Sequence, residues 1–437
     1  MTMENVAKRL HTQPQEVLAR LRFIGNVAQE LGYPVYVVGG FVRDLLLGVE
    51  DYDLDIVVEG DGIHFAKELS SRLHVGFVKH KQFGTATLIT HDKVKVDVAT
   101  ARQETYEYPA SLPKVKPGSI KDDLARRDFT INALALDISR NNFGALVDFF
   151  HGRKDLNKKA IRALYDISFI DDPTRILRAI RFEQRFGFTI ERHTFTLLKD
   201  ALKKHMLEAV HKHRLRDEFI LILKESQAFK CIKRINGLCG FAFIEKKLRL
   251  KKKALNTLKK IEGTYTWFRD NYPHKHKVEV WLLYLMVLLE HLDSMRLKKV
   301  FKEFAFRRSE MDAASIFKEE SSAMLSRLKA PIAPSVIYKI LQPLPYEVLL
   351  CVFIKAHDKK VKDKIRDFLF TYKSIQIHLN GEELKALGMA PGPQFKRILL
   401  QLLYAKLDGK FKTKEEELIY LRHNILAKSC AKNGGKV

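Results

Sequence analysis

The chain has 437 residues, with 77 Lys+Arg against 52 Asp+Glu and a formal charge of +25. At 46% hydrophobic, with 13 Pro and 22 Gly, it is too apolar and too poor in turn formers for a disordered basic tail. Its length suggests roughly three domains. No apolar run reaches the roughly 18 residues of a membrane span. Cys231, Cys239, Cys351 and Cys430 form neither a disulfide framework nor a zinc pattern. Glu4 and Glu16 stand where a secretion signal would be apolar. A cytoplasmic protein with no membrane segment is expected; the oligomeric state is not legible.

From Tyr33 to Asp148 the chain shows short β-branched runs at period two: Tyr36–Val38, Leu54–Val58, Thr85–Thr90, Val94–Val98 and Asn132–Ile138. Helical patterns lie between them, at Phe41–Leu47 and His64–Leu73. The stretch Ala101–Lys121, with Pro109, Pro113, Pro117 and Gly118, predicts a long hinged loop. After about residue 170 nearly everything is helical, broken at Gly/Pro points such as Pro331–Pro334, Pro343–Pro345 and Pro391–Pro393. No fixed-period repeat is present. The expected architecture is an α/β head of about 150 residues followed by an all-helical body.

Charge divides at the same place. Residues 1–150 hold 18 basic and 20 acidic residues, whereas 151–437 hold 59 and 32. Self-repulsion on that scale is relieved by a polyanion, and a phosphate backbone is the natural one because binding it releases counterions. Any single run, even Lys246–Lys260, is better read as a solvated helix face. The imbalance over the whole second part favours nucleic acid.

The chemistry concentrates in Val35–Gly60. A strand ending in Gly39-Gly40 and feeding a helix lets the backbone approach a phosphate, and Arg43 adds a forked cation in the first turn. Asp53 and Asp55 lie two apart on a strand, so both face one way while Leu54, Ile56 and Val58 pack the other. Adjacent carboxylates repel, which is tolerable in solvent or around a divalent cation. Mg²⁺ favours a few carboxylates plus phosphate oxygens. On the next strand, read as Lys93–Val98, Asp97 points away from the valines; it either joins the same cluster or deprotonates an attacking hydroxyl. An isolated D-x-D is more simply a solvated strand end, and the glycine turn upstream reverses that judgement.

Taken in order, GGFVRD, DYDLDIVVEG, FGTAT, VDVATAR, DLARRDFTINALALDI and DPTRILRAIRFEQRFGF resemble the class II tRNA nucleotidyltransferases, the CCA-adding enzymes and their CC-adding, A-adding and bacterial poly(A) polymerase relatives. The match runs from Val35 to Leu223, and the segment LKALGMAPGPQFKRILLQLLYAKLDGKFKTKEEE is similar to the end of some members. The resemblance implies an α+β protein. Its parts would be a polymerase β-like nucleotidyltransferase head over 1–150, a helical neck for base recognition over 151–230, and a basic helical body and tail binding tRNA over 231–437.

It further implies catalysis by Asp53, Asp55 and Asp97, with Mg²⁺ on Asp53 and Asp55. Gly40 and Arg43 would meet the triphosphate of CTP or ATP, and Arg126, Arg127 and Asp128 its ribose and phosphates. Asp172 and Arg175, neighbours on one face of a helix with Arg178 and Arg181, would read the base as a protein template. Spacing alone makes these four an intrahelical ion-pair ladder. Where the family pattern reads E-D-x-x-R, Asp171 replaces the Glu. Arg214 and Glu218, four apart in a helical segment, are expected to be structural. The loop over 101–121, shortened in members that stop at CC, favours addition of the terminal A. The implied activity is addition of CCA, or its terminal A, to tRNA. Partial enzymes, a poly(A) polymerase and an RNA-binding protein with an inactive head are the alternatives.

Overall fold

The computed structural model describes residues 6, 9–50, 53–80, 84–246, 248–272 and 277–426. Glu4, Asp51, Tyr52, Phe83, Lys247 and Cys430, named above, lie outside them. The chain forms two compact units, 1–243 and 244–437. The fold class is α+β, a mixed sheet with helices followed by helices alone.

In the first unit seven strands form one sheet in the order β3-β4-β5-β2-β1-β8-β9. They are β1 (Val35–Val38), β2 (Leu54–Val58), β3 (Phe77–His80), β4 (Thr85–Ile89), β5 (Lys95–Thr100), β8 (Ala135–Asp137) and β9 (Ala145–Val147). Within this sheet, among the described residues, β2 and β5 pair in parallel and the other neighbours antiparallel. Helix α1 (Gln15–Glu30) packs on α3 (Gly62–Leu73), which covers β4 and β5. Helix α2 (Gly40–Leu47) follows β1, and α4 (Ile120–Ala125) lies on the opposite face of the sheet, where Ile120 and Leu124 meet Val38 and Val57. Strand β2 therefore buries Val57 on the side where Asp55 is exposed, and α4 sets the edge of the open ground.

The sequence-based boundaries shift in three places. The strand expected from Val94 starts at Lys95, because Lys93 takes φ +65° and closes a turn on Thr90. The strand expected over Asn132–Ile138 is a 3₁₀ turn (Thr130–Asn132) followed by β8. The side chain of Asn132 is engaged in the site below, which keeps that residue out of the ladder. The hinged loop is largely a ribbon of β6 (Arg102–Thr105) and β7 (Lys114–Pro117), so backbone pairing occupies its stems. Pro109 and Pro113 fall in the connection and Pro117 at the strand end, where a missing N–H is tolerated.

Beyond the sheet, α5 (Gly152–Asn157), α6 (Ser168–Asp171), α7 (Thr174–Phe186), α8 (Arg192–Lys203), α9 (Met206–Ala209), α10 (Lys212–Lys224) and α11 (Ala228–Leu238) complete the unit. The short strands β10 (Ala160–Ile161) and β11 (Thr189–Ile190) pair beside them. Helix α7 packs on α10 and α11.

In the second unit Val280–Leu289 (VWLLYLMVLL) is apolar all round and buried from Trp281 to Leu289, as a central helix must be. Helices Lys252–Lys259, Arg308–Lys329 and Tyr346–Lys355 pack on it. A separate cluster of Leu379, Leu384, Ile398, Leu402, Phe411 and Leu421 forms the core of the last helices. Among the described residues no single helix is long and apolar enough to cross a membrane, and Cys231, Cys239 and Cys351 are unbridged.

Candidate active site

The turn after β1 is built for glycine. Gly39 has φ +70° and ψ −123°, and a Cβ there would stand 2.8 Å from Arg127 Nη1 and 3.7 Å from Asp55 Oδ2. Hydrogen on that Cα is what lets an arginine, a carboxylate and the start of α2 share one small volume. The α2 N-terminus carries no side-chain cap. Gly40, the other half of the pair, meets only Arg43.

Asp53 and Asp55 occupy an open stretch at the start of β2, and the parallel register sets Asp55 beside Asp97. Asp97 accepts from Thr87 Oγ1 at 2.6 Å and forms an ion pair with Lys95. The Asp55 carboxylate reaches solvent but is walled in on its other sides. That desolvation is the leading reason its pKa is raised. Arg127 and Lys95 oppose the rise, while Asp97 and Asp53 add to it. Among the described residues no three His, Cys, Asp or Glu side chains form a ready-made metal cluster. The pair of aspartates fits a hard cation that keeps other oxygen ligands, and the crowding of negative charge on Asp55 is what such a cation relieves.

The Arg126-Arg127-Asp128 segment leaves α4 over a buried carboxylate. Asp123 accepts from Arg126 Nε and Nη2 (3.0 and 2.7 Å) and from Arg127 Nη2 (3.0 Å). Arg126 Nη1 reaches Glu104 on the ribbon at 3.0 Å. Asp128 is buried, accepting from Asn132 Nδ2 at 2.9 Å and from Arg178 Nε at 2.8 Å. Burial pushes the Asp128 carboxyl up, but Arg178, Asn132 and Arg175 outweigh it and hold its pKa at about 2. Arg43 is buried as well. It forks onto Asp44 (2.8 and 2.7 Å) and donates to Asn132 Oδ1 at 2.7 Å, so it supports Asn132 as much as it faces the cleft.

Asp172 does not share a helix face with Arg175. It sits in extended conformation before α7, accepting from Thr174 N and Oγ1 (3.1 and 2.6 Å) as the lead-in to that helix. Arg175 is buried and donates to Tyr165 Oη (3.1 Å), Ser168 Oγ (2.7 Å) and the Arg126 carbonyl (2.7 Å). The intrahelical ladder is absent among these residues. Arg178 bridges Asp128 and Glu218 (2.9 Å), and Arg181 lies 3.5 Å from both Glu218 and Glu225. Arg214 and Glu218 likewise turn away from each other and across to α7, Arg214 to Asp172 at 2.8 Å and Glu218 to Arg178. Helix packing set that choice, because α7 and α10 present arginines and carboxylates to one another.

These residues line one cleft of about 670 Å³. It brings together Gly40, Arg43, Asp55, Arg126, Arg127, Asp128, Asp172, Arg175, Arg178 and Arg181, while Asp97 lines an adjoining recess that Asp55, Arg126 and Arg127 share. Asp53 does not line either. The cleft wall carries eight arginines against six carboxylates. Arg127 Nε and Arg181 Nε are buried without a hydrogen-bond partner. Both side chains line the cleft, where a forked guanidinium suits an anionic oxygen. Sequence reasoning missed Glu104, Tyr106, Asn132 and Phe182 in this wall. Arg102, Glu104 and Tyr106 alternate with period two, a signal that was hidden by the prolines that follow.

A model of the poly(A) polymerase head domain matches residues 35–162. The A-adding tRNA nucleotidyltransferase of Geobacter sulfurreducens is 40% identical over 93% of this chain, but the chain spans only 47% of that relative, and 42% of the A-adding enzyme of Aquifex aeolicus. The A-adding tRNA nucleotidyltransferase of Halalkalibacterium halodurans is 30% identical, over 94% of this chain and 93% of the relative. The Thermotoga maritima CCA-adding enzyme complexed with tRNA superposes with a TM-score of 0.73 at 34% identity, over 97% of this chain and 98% of that one. Structures of a CCA-adding enzyme with ATP and with CTP each give 0.74 at 34% identity and cover 97% of this chain and 97% and 98% of theirs.

Proposed function

Because the chain belongs to the class II tRNA nucleotidyltransferase family, we propose that it adds nucleotides from ATP or CTP to the 3′ end of tRNA without a nucleic-acid template. Addition of the terminal A is the favoured activity, supported by the A-adding relatives and by the length of the ribbon between Arg102 and Pro117. The observation that carries the reading is the meeting of Gly39, Asp55 and Arg127 at the mouth of an arginine-lined cleft. Such an enzyme works where tRNA matures, in the cytoplasm.

In the reaction, the terminal hydroxyl oxygen of the tRNA attacks the α-phosphorus of the nucleoside triphosphate. A phosphodiester bond forms, the bond to the bridging oxygen of the β-phosphate breaks, and pyrophosphate leaves with the electron pair. The chain's task is positioning and charge balance. Arg127, beside Gly39 at the uncapped start of α2, and Arg181, in the same cleft wall, are the guanidinium groups placed to hold phosphate oxygens. Arg126, Arg127 and Asp128 form the floor under the ribose, Arg43 buttresses that floor through Asn132, and Arg178 fixes Asp128. Asp172 and Arg175, each held by protein partners, offer the base an acceptor and donors at fixed positions. Asp53 and Asp55 would hold Mg²⁺, which supplies Lewis-acid polarisation of phosphate oxygens and eases loss of the hydroxyl proton. Asp97, beside Asp55, is the remaining carboxylate able to take that proton.

The test uses tRNAs ending at the discriminator base, at the first C or at the second C, each with labelled CTP or ATP and sequenced products. ATP incorporation only onto the CC end supports the A-adding reading. CTP incorporation onto the shorter ends together with ATP onto the CC end makes it a full CCA enzyme, CTP incorporation alone a CC-adding one, and homopolymer tails on any RNA end a poly(A) polymerase.

A further inference from the structure

We propose that Phe182 is a positioning residue that holds the Arg181 guanidinium short of two competing carboxylates, so that its N–H edge stays open for the triphosphate. The inference rests on the reading of the arginine-lined cleft as the triphosphate site. Three guanidinium groups gather on this one buried ring: Arg181 at 4.9 Å from its centroid, Arg178 at 5.4 Å and Arg43 at 5.5 Å. Phe129 meets the ring edge-on at 6.0 Å and Phe186 stacks on it at 5.8 Å, so its orientation is fixed. The face of a ring attracts a guanidinium through its quadrupole. A carboxylate binds the same group through the N–H edge. Only the first kind of partner leaves that edge for a substrate.

The three arginines differ in how much of that edge is already taken. Arg178 directs Nε and Nη2 to Asp128 and Nη1 to Glu218. Arg43 directs its edge to Asp44 and Asn132. Arg181, the nearest to the ring, stops at 3.5 Å from both Glu218 Oε2 and Glu225 Oε1, outside the about 2.7–2.9 Å of a closed charge-assisted bond. Glu218 Oε2 is buried without a hydrogen-bond partner, so the carboxylate on which Arg181 would close has an acceptor to spare. Burial holds the Arg181 pKa below the ordinary arginine value, Arg178 adds to this, and Glu218 and Glu225 only partly oppose it. A buried cation with incomplete pairing needs a further partner, and the face of Phe182 supplies one without occupying a donor. Without that face Arg181 closes onto Glu218 and Glu225, and a phosphate must then compete with two carboxylates.

The experiment measures equilibrium binding of inorganic triphosphate, ATP and CTP to the full chain in Mg²⁺ without tRNA. Mono-, di- and trifluorinated phenylalanine in place of Phe182 keep the ring close to its size and withdraw negative charge from its face in steps. Triphosphate affinity is expected to fall with each fluorine, by about tenfold for the trifluorinated ring and for Phe182→Leu, with ATP and CTP weakened by the same factor. Glu225→Gln removes one competing carboxylate. It is expected to raise triphosphate affinity by about threefold more in the Phe182→Leu background than in the chain with Phe182, a coupling that loss of packing alone does not produce. A flat fluorine series overturns the proposal, as do an equal effect of Glu225→Gln in both backgrounds and a loss for one nucleotide with inorganic triphosphate unmoved. Should Phe182→Leu fail to fold, the trifluorinated ring takes its place in the cycle with Glu225→Gln. A wild-type chain that binds neither triphosphate nor nucleotide refutes the cleft as the triphosphate site, a result distinct from variants that match a wild type able to bind.

Discussion

The two units carry positive charge in different forms. The first, 1–243, holds 19 arginines and 19 lysines, whereas the second, 244–437, holds 9 arginines and 30 lysines. In the first unit the arginines of the cleft are largely buried and tied to carboxylates, as Arg178 is to Asp128 and Glu218. In the second, Lys251, Lys252, Lys253, Lys259 and Lys260 stand exposed around one short helix. A rigid fork that fixes a small anion needs partners and burial; a flexible ammonium that meets a phosphate backbone needs only solvent and reach. The same formal charge is therefore suited to recognition of geometry in one unit and to nonspecific attraction in the other.

The sharpest way to break this contrast is at Asp55. Asp55→Asn keeps the shape and removes the charge, and incorporation is expected to fall on the order of 10³-fold or more, as when a group acting chiefly in the transition state is removed. Affinity for tRNA, measured by filter binding, should stay unchanged. The raised pKa of Asp55 adds a pH signature. Protons compete with a cation for this carboxylate at pH values above the ordinary Asp range near 3.9, so Mg²⁺ affinity of the ligand-free protein should fall early on acidification. Retained activity in the variant would remove the aspartates from the chemistry.

Next in size is the buried pair of the first unit. Arg178→Met leaves Asp128 buried without its main cation, and an unfolding free energy lower by about 3–5 kcal/mol at pH 7 is expected. The sign with pH follows from the Asp128 pKa of about 2, below its unfolded value. The pair's stabilisation is fully present above the unfolded Asp value near 3.9 and is lost as pH falls toward 2. Urea unfolding of wild type and variant should therefore converge in acid. A constant gap would mean that Arg178 stabilises by packing, for instance over Phe182, and not by charge.

What the sequence could reveal followed from short-range periodicity. Strand Leu54–Val58 with its outward Asp55 and the glycine turn before Gly40–Leu47 are set within a few residues, so their pattern is visible in the chain itself. The α7 arginines were visible too, but their partners were not. Arg178 finds Asp128 fifty positions away and Arg214 finds Asp172 forty-two away, and only helix packing brings them together. The same holds for Val57, an apolar residue on the acidic face of β2, whose burial depends on α4 arriving from 120–125. The ribbon at 102–117 was masked by its prolines, because composition reports the connection and not the stems.

The smallest effect belongs to the lysines, and it sharpens the comparison because it should leave chemistry untouched. Lys253 in the first turn of the helix Lys252–Lys259 and Lys260 just past its end are exposed, with Ala254 and Leu258 as its buried side. Lys253→Gln with Lys260→Gln removes two cations and no packing. If both meet phosphates, the slope of log affinity for tRNA against log salt should become shallower by at most about 1.8, at about 0.9 per phosphate. The loss of affinity should shrink as salt rises, and kcat at saturating tRNA should stay at the wild-type value. An unchanged slope would return this run to an ordinary solvated helix face, and the search for the polyanion surface would move to the remaining lysines of the second unit. A change in kcat would instead mean that charge in that unit is felt at the reacting phosphate, which a division of labour between fixed forks and loose ammonium groups does not allow.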